Sequence, residues 1–165
     1  MITKNSKLWE YLSPSQRELA NVGLFLLEDS SRHVGTTLTD YSFLVFPFAK
    51  LYEGFLKQLF LDLRLINDRE YRSDHYRVGK TLSPHLVGRL RARSAYGQIE
   101  SKFDSTLALE LWQTWKNGRN LVFHYFPHNI RALTLDQAKQ IIFRICDTME
   151  MAVAKTNPHA FDRTI

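Results

Sequence analysis

The chain has 165 residues, 44% hydrophobic and 13% aromatic, which is enough apolar mass for one domain with a real core and too much for a disordered tail or a disulfide-stapled peptide. Its only cysteine, Cys146, excludes an intrachain disulfide, and the opening Met1-Ile2-Thr3-Lys4 has no signal-peptide pattern, so a reducing, cytoplasmic setting is expected. Net charge is +5, and the most apolar run, Phe43 to Leu63, carries Lys50, Glu53 and Lys57 near its middle, where a bilayer would oppose them.

The punctuation of the chain predicts one all-α, bundle-like domain over residues 1–165, with about five helices, a short flexible stretch over about 1–12 and a C-terminal tail over about 157–165. Ser13-Pro14-Ser15-Gln16 reads as an N-cap, a proline at the first helical position and a reciprocal capping residue, which predicts a helix from about Pro14 to Arg32. A second, long helix is predicted over about residues 40–66, with Pro47 kinking it or marking its start. Residues 67–82 lack sustained periodicity and read as loop. Ser83-Pro84 then opens a short helix to about Ala92. Asp104 caps a fourth helix that should run to about Phe126, where Pro127 stops it, and Thr134-Leu135-Asp136-Gln137 is a capping box opening a last helix to about Lys155.

Charge is concentrated rather than spread. Residues 69–102 hold eight basic side chains against three acidic ones, so the whole excess sits in one segment. Cations such as Arg77, Lys80, Arg89, Arg91 and Arg93 can meet phosphates while the interleaved Tyr71, Tyr76 and Tyr96 stack on unpaired bases, the composition expected of a single-stranded RNA track. The bland reading is a solvated basic face.

Two helix faces locate the chemistry. Lys50, Glu53 and Lys57 form a narrow polar strip on the otherwise apolar second helix, and Gln113, Lys116, Asn117, Asn120 and His124 recur at steps of three and four on the fourth. Arg119-Asn120-Leu121-Val122-Phe123-His124 thus puts a permanent cation, an amide and an imidazole on less than two turns. With 13 arginines and six histidines, Arg and His at this spacing arise about 0.5 times by chance, and requiring Asn directly after Arg lowers this to about 0.02. Gly118 costs a helix interior about 1 kcal/mol relative to Ala, which predicts close approach of another helix.

The Arg-Asn-x3-His pattern resembles the signature of the HEPN superfamily, all-helical domains many of which are endoribonucleases. Residues 41–57, running Tyr41-Ser42-Phe43-Leu44 to Glu53-Gly54-Phe55-Leu56-Lys57, and Val78-Gly79-Lys80-Thr81-Leu82 are similar to the ribonuclease domain of RnlA/LsoA-type toxins of bacterial toxin–antitoxin and anti-phage systems. The likeness covers about residues 40–155. It implies a HEPN-like bundle, a homodimer, and a Glu, here Glu53, joining Arg119 and His124; the extra N-terminal domains of those toxins have no counterpart. Some HEPN toxins carry a modifiable Tyr two residues after the His, where this chain has Phe126 with Tyr125 adjacent.

These side chains suffice for metal-free RNA cleavage. Imidazole takes a proton from a ribose 2′-hydroxyl or returns one to the leaving 5′-oxygen, and the planar arginine fork holds the scissile phosphate. Asn120 can bond substrate or fix the imidazole, and Glu53 can orient its neighbours. One histidine is not both acid and base in a single step, which points to a dimer sharing a cleft. Expected partners are mRNA or tRNA, a second copy and a cognate antitoxin, with no membrane partner. No cofactor or metal is expected: His124 and His128 are four apart but Pro127 divides them, and the Gly79-Lys80-Thr81 turn lacks the earlier glycine of a phosphate-binding loop, having Asp74 there. Arg119 paired with Glu53 for structure alone, in a non-catalytic helical module that binds RNA or protein, is the alternative.

Overall fold

The computed structural model describes residues 2–32, 38–124 and 127–158. Among these residues the fold is all-helical, with nine α-helical segments rather than the five expected: α1 (Lys7–Tyr11), α2 (Pro14–Arg32), α3 (Ser42–Asp62), α4 (Asp68–Tyr71), α5 (Val78–Thr81), α6 (Val87–Leu90), α7 (Ala95–Lys102), α8 (Ser105–Trp115) and α9 (Leu135–Thr156). The surplus is the short α1, the single turns α4 and α5, and the eight-residue α7. Residues 67–82, expected as loop, contain α4 and α5, and the helix expected over 83–92 is α6 flanked by 3-10 turns at Pro84–Leu86 and Arg91–Arg93. A local capping box holds α4 without periodicity, Asn67 and Glu70 bonding reciprocally across it.

α3 is the axis of the fold. Its Leu44, Phe48, Leu51, Tyr52, Phe55, Leu59 and Phe60 are fully buried, and α2 and α9 pack along it. Burying this aliphatic and aromatic area is the main stabilising term, at about 25 cal/mol per Å2 of apolar surface. The Tyr52 hydroxyl donates to the Leu111 carbonyl of α8 at 3.0 Å, and burial then pushes its phenol well above the usual value. Gly23 of α2 lies against the Phe48 ring, where a Cβ would come within 2.5 Å. α3 begins at Ser42, five residues before Pro47, so the proline does not mark its start.

The stretch expected to be a flexible N-terminus is instead packed into the body. Ile2, Leu8, Tyr11 and Leu12 are buried, Ser6 caps α1, and the Tyr11 hydroxyl donates to Asp62 at 2.5 Å. The caps predicted for α2 and α9 form as expected, Ser13 with Gln16 and Thr134 with Gln137. α9 ends at Asn157 in the left-handed conformation (φ 41°).

The largest departure concerns α8. It ends at Trp115, and the chain then widens into a π-turn over Lys116–Asn120, closed by the Leu121 N–H on the Lys116 carbonyl at 3.0 Å, before turning at residues 121–124. The expected continuous helix to Phe126 is therefore absent over the described part of that span. Gly118 supplies the reason. A Cβ there would stand 3.1 Å from Ile145 and 3.5 Å from Ile141, so α9 presses on the backbone just where the helix loses its register. The close approach predicted for Gly118 exists, but within one chain.

Candidate active site and adjoining basic cleft

The π-turn decides where the motif side chains point. Arg119 and Asn120 are consecutive, so they project in different directions and each has its own partner. Arg119 Nη2 donates to Glu53 Oε2 at 3.0 Å, bridging α3 and the π-turn, with the two side chains 41% and 32% exposed. Its guanidinium also lies over the Trp115 ring, 5.2 Å from the centroid. Trp115 is four residues before Arg119, the spacing at which a ring and a cation on one helix face meet, so the sequence carries the signal of this platform.

His124 follows in the bend, exposed, and its Nε2 lies 3.2 Å from Asn120 Oδ1. With the amide oxygen as acceptor, the ring proton sits on Nε2 and the Nδ1 lone pair is left to act as a base. Of the expected site residues the structure thus brings together two pairs, Glu53 with Arg119 and Asn120 with His124, although the helix expected to carry three of them does not continue. Lys50 and Lys116 are exposed beside this group, one turn before Glu53 and three residues before Arg119. Apolar rings complete the surroundings. Phe46 of α3 and Phe123 meet edge-on at 5.7 Å while remaining 56% and 40% exposed. Tyr125 and Phe126, the pair considered for modification, lie outside the described residues.

The loop that returns from His124 to α9 is tied to the start of α3 by Asp40. Its Oδ1 accepts from the Ser42 N–H and hydroxyl and from the Leu133 N–H, and its Oδ2 accepts from Asn129. Burial opposes ionisation of Asp40, yet these four donors outweigh it and lower the carboxyl from 3.8 to about 2. His128 and Asn129 take positive φ (58° and 51°) to make the turn.

The sequence-predicted cations do not form one track. Arg77, Lys80 and Arg93 line a cleft of about 1130 Å3 at the C-terminal end of α3, whereas Arg89 and Arg91 do not line it. Arg72, another cation of the basic 69–102 segment, also lines it, as does Arg64, which lies outside that segment. Lys57, one turn beyond Glu53, leans over the Tyr76 ring of the cleft at 6.0 Å. Burial pushes the Tyr76 phenol up to about 12, with Glu70 adding to the rise and the 2.7 Å hydrogen bond with Thr81 opposing it, so it stays neutral. A second contact joins cleft and site: a Cβ on Gly79 would fall 2.5 Å from Trp115 Nε1, so the turn that carries Lys80 rests on the ring under Arg119.

Among the described residues no cluster of three or more His, Cys, Asp or Glu stands together that would hold a metal ion, and no helix is long and apolar enough to cross a membrane. Comparison with family models, with curated proteins and with solved structures returns no match.

Proposed function

We propose that the chain is a HEPN-type, metal-independent endoribonuclease, acting in the cytoplasm as a toxin or phage-defence effector on mRNA or tRNA and restrained by a cognate antitoxin. The observation that carries the reading is the convergence of Glu53, from α3, on Arg119, beside the Asn120–His124 pair. An exposed ion pair of this kind contributes at most about 1 kcal/mol to folding, so its position says more about chemistry than about stability. Arg119 spends one N–H on Glu53 and keeps others for phosphate oxygens.

In this reaction His124 Nδ1 accepts the 2′-hydroxyl proton while O2′ attacks phosphorus, Arg119 stabilises the charge on the phosphoryl oxygens, and the P–O5′ bond breaks to leave a 2′,3′-cyclic phosphate. The departing 5′-oxygen needs a proton, and the imidazolium of a second copy's His124 supplies it in a dimer. The exposed Phe46 and Phe123 beside His124 favour such a contact. Gly118 does not, since Ile141 and Ile145 of the same chain already occupy its open side.

Incubating RNA with EDTA-treated protein tests the reading. Cleavage with cyclic-phosphate ends is the expected result; RNA retained on the protein but uncut would replace the enzyme by a binding module.

A further inference from the structure

The cleft at the end of α3 carries a feature that folding alone disfavours. Arg64 has φ 55°, in the left-handed region, at the position directly after the α3 C-cap. The Leu65 N–H bonds the Phe60 carbonyl at 2.8 Å and the Arg64 N–H bonds the Leu61 carbonyl at 2.9 Å, the two bonds of a Schellman motif whose left-handed residue is usually glycine. A long cation sits there instead, on the cleft wall. Strain kept at a cleft is a pointer to ligand binding.

The other walls agree. Arg72, Lys80 and Arg93 also line the cleft, and neither they nor Arg64 join any ion pair among the described residues. Two of the three carboxylates in the lining are engaged, Asp62 by the Tyr11 hydroxyl and Glu70 by the Asn67 N–H. Tyr71, 36% exposed, offers a ring, and Leu61 and Leu90 add apolar wall. Unpaired cations beside an aromatic face suit a nucleotide, whose phosphate and base need one of each. The volume, about 1130 Å3, is slightly above that of small-molecule clefts, which run to about 1,000 Å3, and leaves room for a nucleotide with its flanking backbone.

We propose that this cleft is a nucleotide subsite of the RNA track, seating the base and phosphate of an unpaired nucleotide near the scissile bond; the assignment to RNA rests on the nuclease reading. Leu61 is eight residues beyond Glu53 on α3, about 12 Å along the helix, so one strand spans both. Two contacts couple them: Lys57 over Tyr76 and Gly79 under Trp115.

The test uses a fluorescent 2′-O-methyl RNA decamer, which has no 2′-hydroxyl to attack and so reports binding apart from cleavage. Arg64→Gly is the sharpest variant. It should weaken binding three- to tenfold and lower the salt slope by about one, while the melting temperature stays level or rises. Arg72→Ala with Arg93→Ala should lower the slope by about two, and Tyr71→Ala should weaken binding about fivefold or more. Lys4→Ala with Lys7→Ala, two exposed cations outside the lining, should do neither. Unchanged affinity and slope in both arginine variants, or an Arg64→Gly protein that binds normally and melts lower, would overturn the subsite. Adenosine 5′-monophosphate that competes with the decamer shows that a free nucleotide also fits, and failure to compete shows that the cleft takes a strand only. Inorganic phosphate competing as well as the nucleotide would overturn the base pocket. Loss of binding in these variants from a protein that never cuts RNA would retire the nuclease and keep the subsite.

Discussion

Arg119 and His124 stand on an open surface and are held by an ion pair, a ring and an amide, whereas Arg64, Arg72, Lys80 and Arg93 line a concave cleft and join no ion pair among the described residues. The first region is poor in space and rich in oriented groups; the second is the reverse. Orientation is what proton transfer and charge stabilisation require, and free cations are what strand binding requires. The pairing of a fixed patch with a loosely populated cleft, joined through Trp115, is therefore a division between chemistry and grip.

The largest expected effect separates the two regions outright. His124→Ala and Arg119→Ala should each lower cleavage by about 100-fold or more, through lost proton transfer and lost charge stabilisation, while circular dichroism stays native; decamer binding should change little in His124→Ala and lose one phosphate contact in Arg119→Ala. RNA gels beside binding curves check this, and full cleavage by either folded variant would break the division.

Next in size is the link. In Gly79→Ala the added methyl meets the Trp115 indole at 2.5 Å, so the ring or the α5 turn must shift. Stability should fall by about 1 to 3 kcal/mol, and cleavage should fall about tenfold as Arg119 loses its platform. A denaturant melt with an activity assay reads both. Normal activity in a destabilised protein would show that Trp115 props the fold and not the site.

Dilution probes the patch alone. If two His124 side chains share a cleft, specific activity should fall as the protein is diluted below its dimer dissociation constant, with light scattering marking the same midpoint. A monomer active at every dilution would require another proton donor, and Glu53 would be tested first.

The smallest effect concerns the Asp40 tie. Its folded value, about 2, lies below the ordinary 3.8, so its contribution is complete above about pH 4 and is lost as pH falls through about 2. Solvent screening holds this to about 1 kcal/mol. Asp40→Asn should therefore flatten the acid limb of the melting temperature between pH 4 and pH 2 and leave cleavage at neutral pH nearly intact. An unchanged acid limb would remove Asp40 as the tie.

Sequence alone determined what depends on neighbours along the chain. The caps at Ser13 and Thr134, the buried stripe of α3 and the all-helical class follow from side chains three and four apart, and those interactions are local. The pairing of Glu53 with Arg119 was legible only as a resemblance, since 66 residues separate them. Tertiary structure decided the rest. α8 ends at Trp115 because α9 crowds Gly118, the N-terminal residues are ordered because the core offers Leu8 and Leu12 a place, and Arg64 joins Arg93 because α3 ends where the 84–93 turns return. Each of these outcomes turns on packing between segments far apart in sequence, where shape and not periodicity sets the lowest free energy.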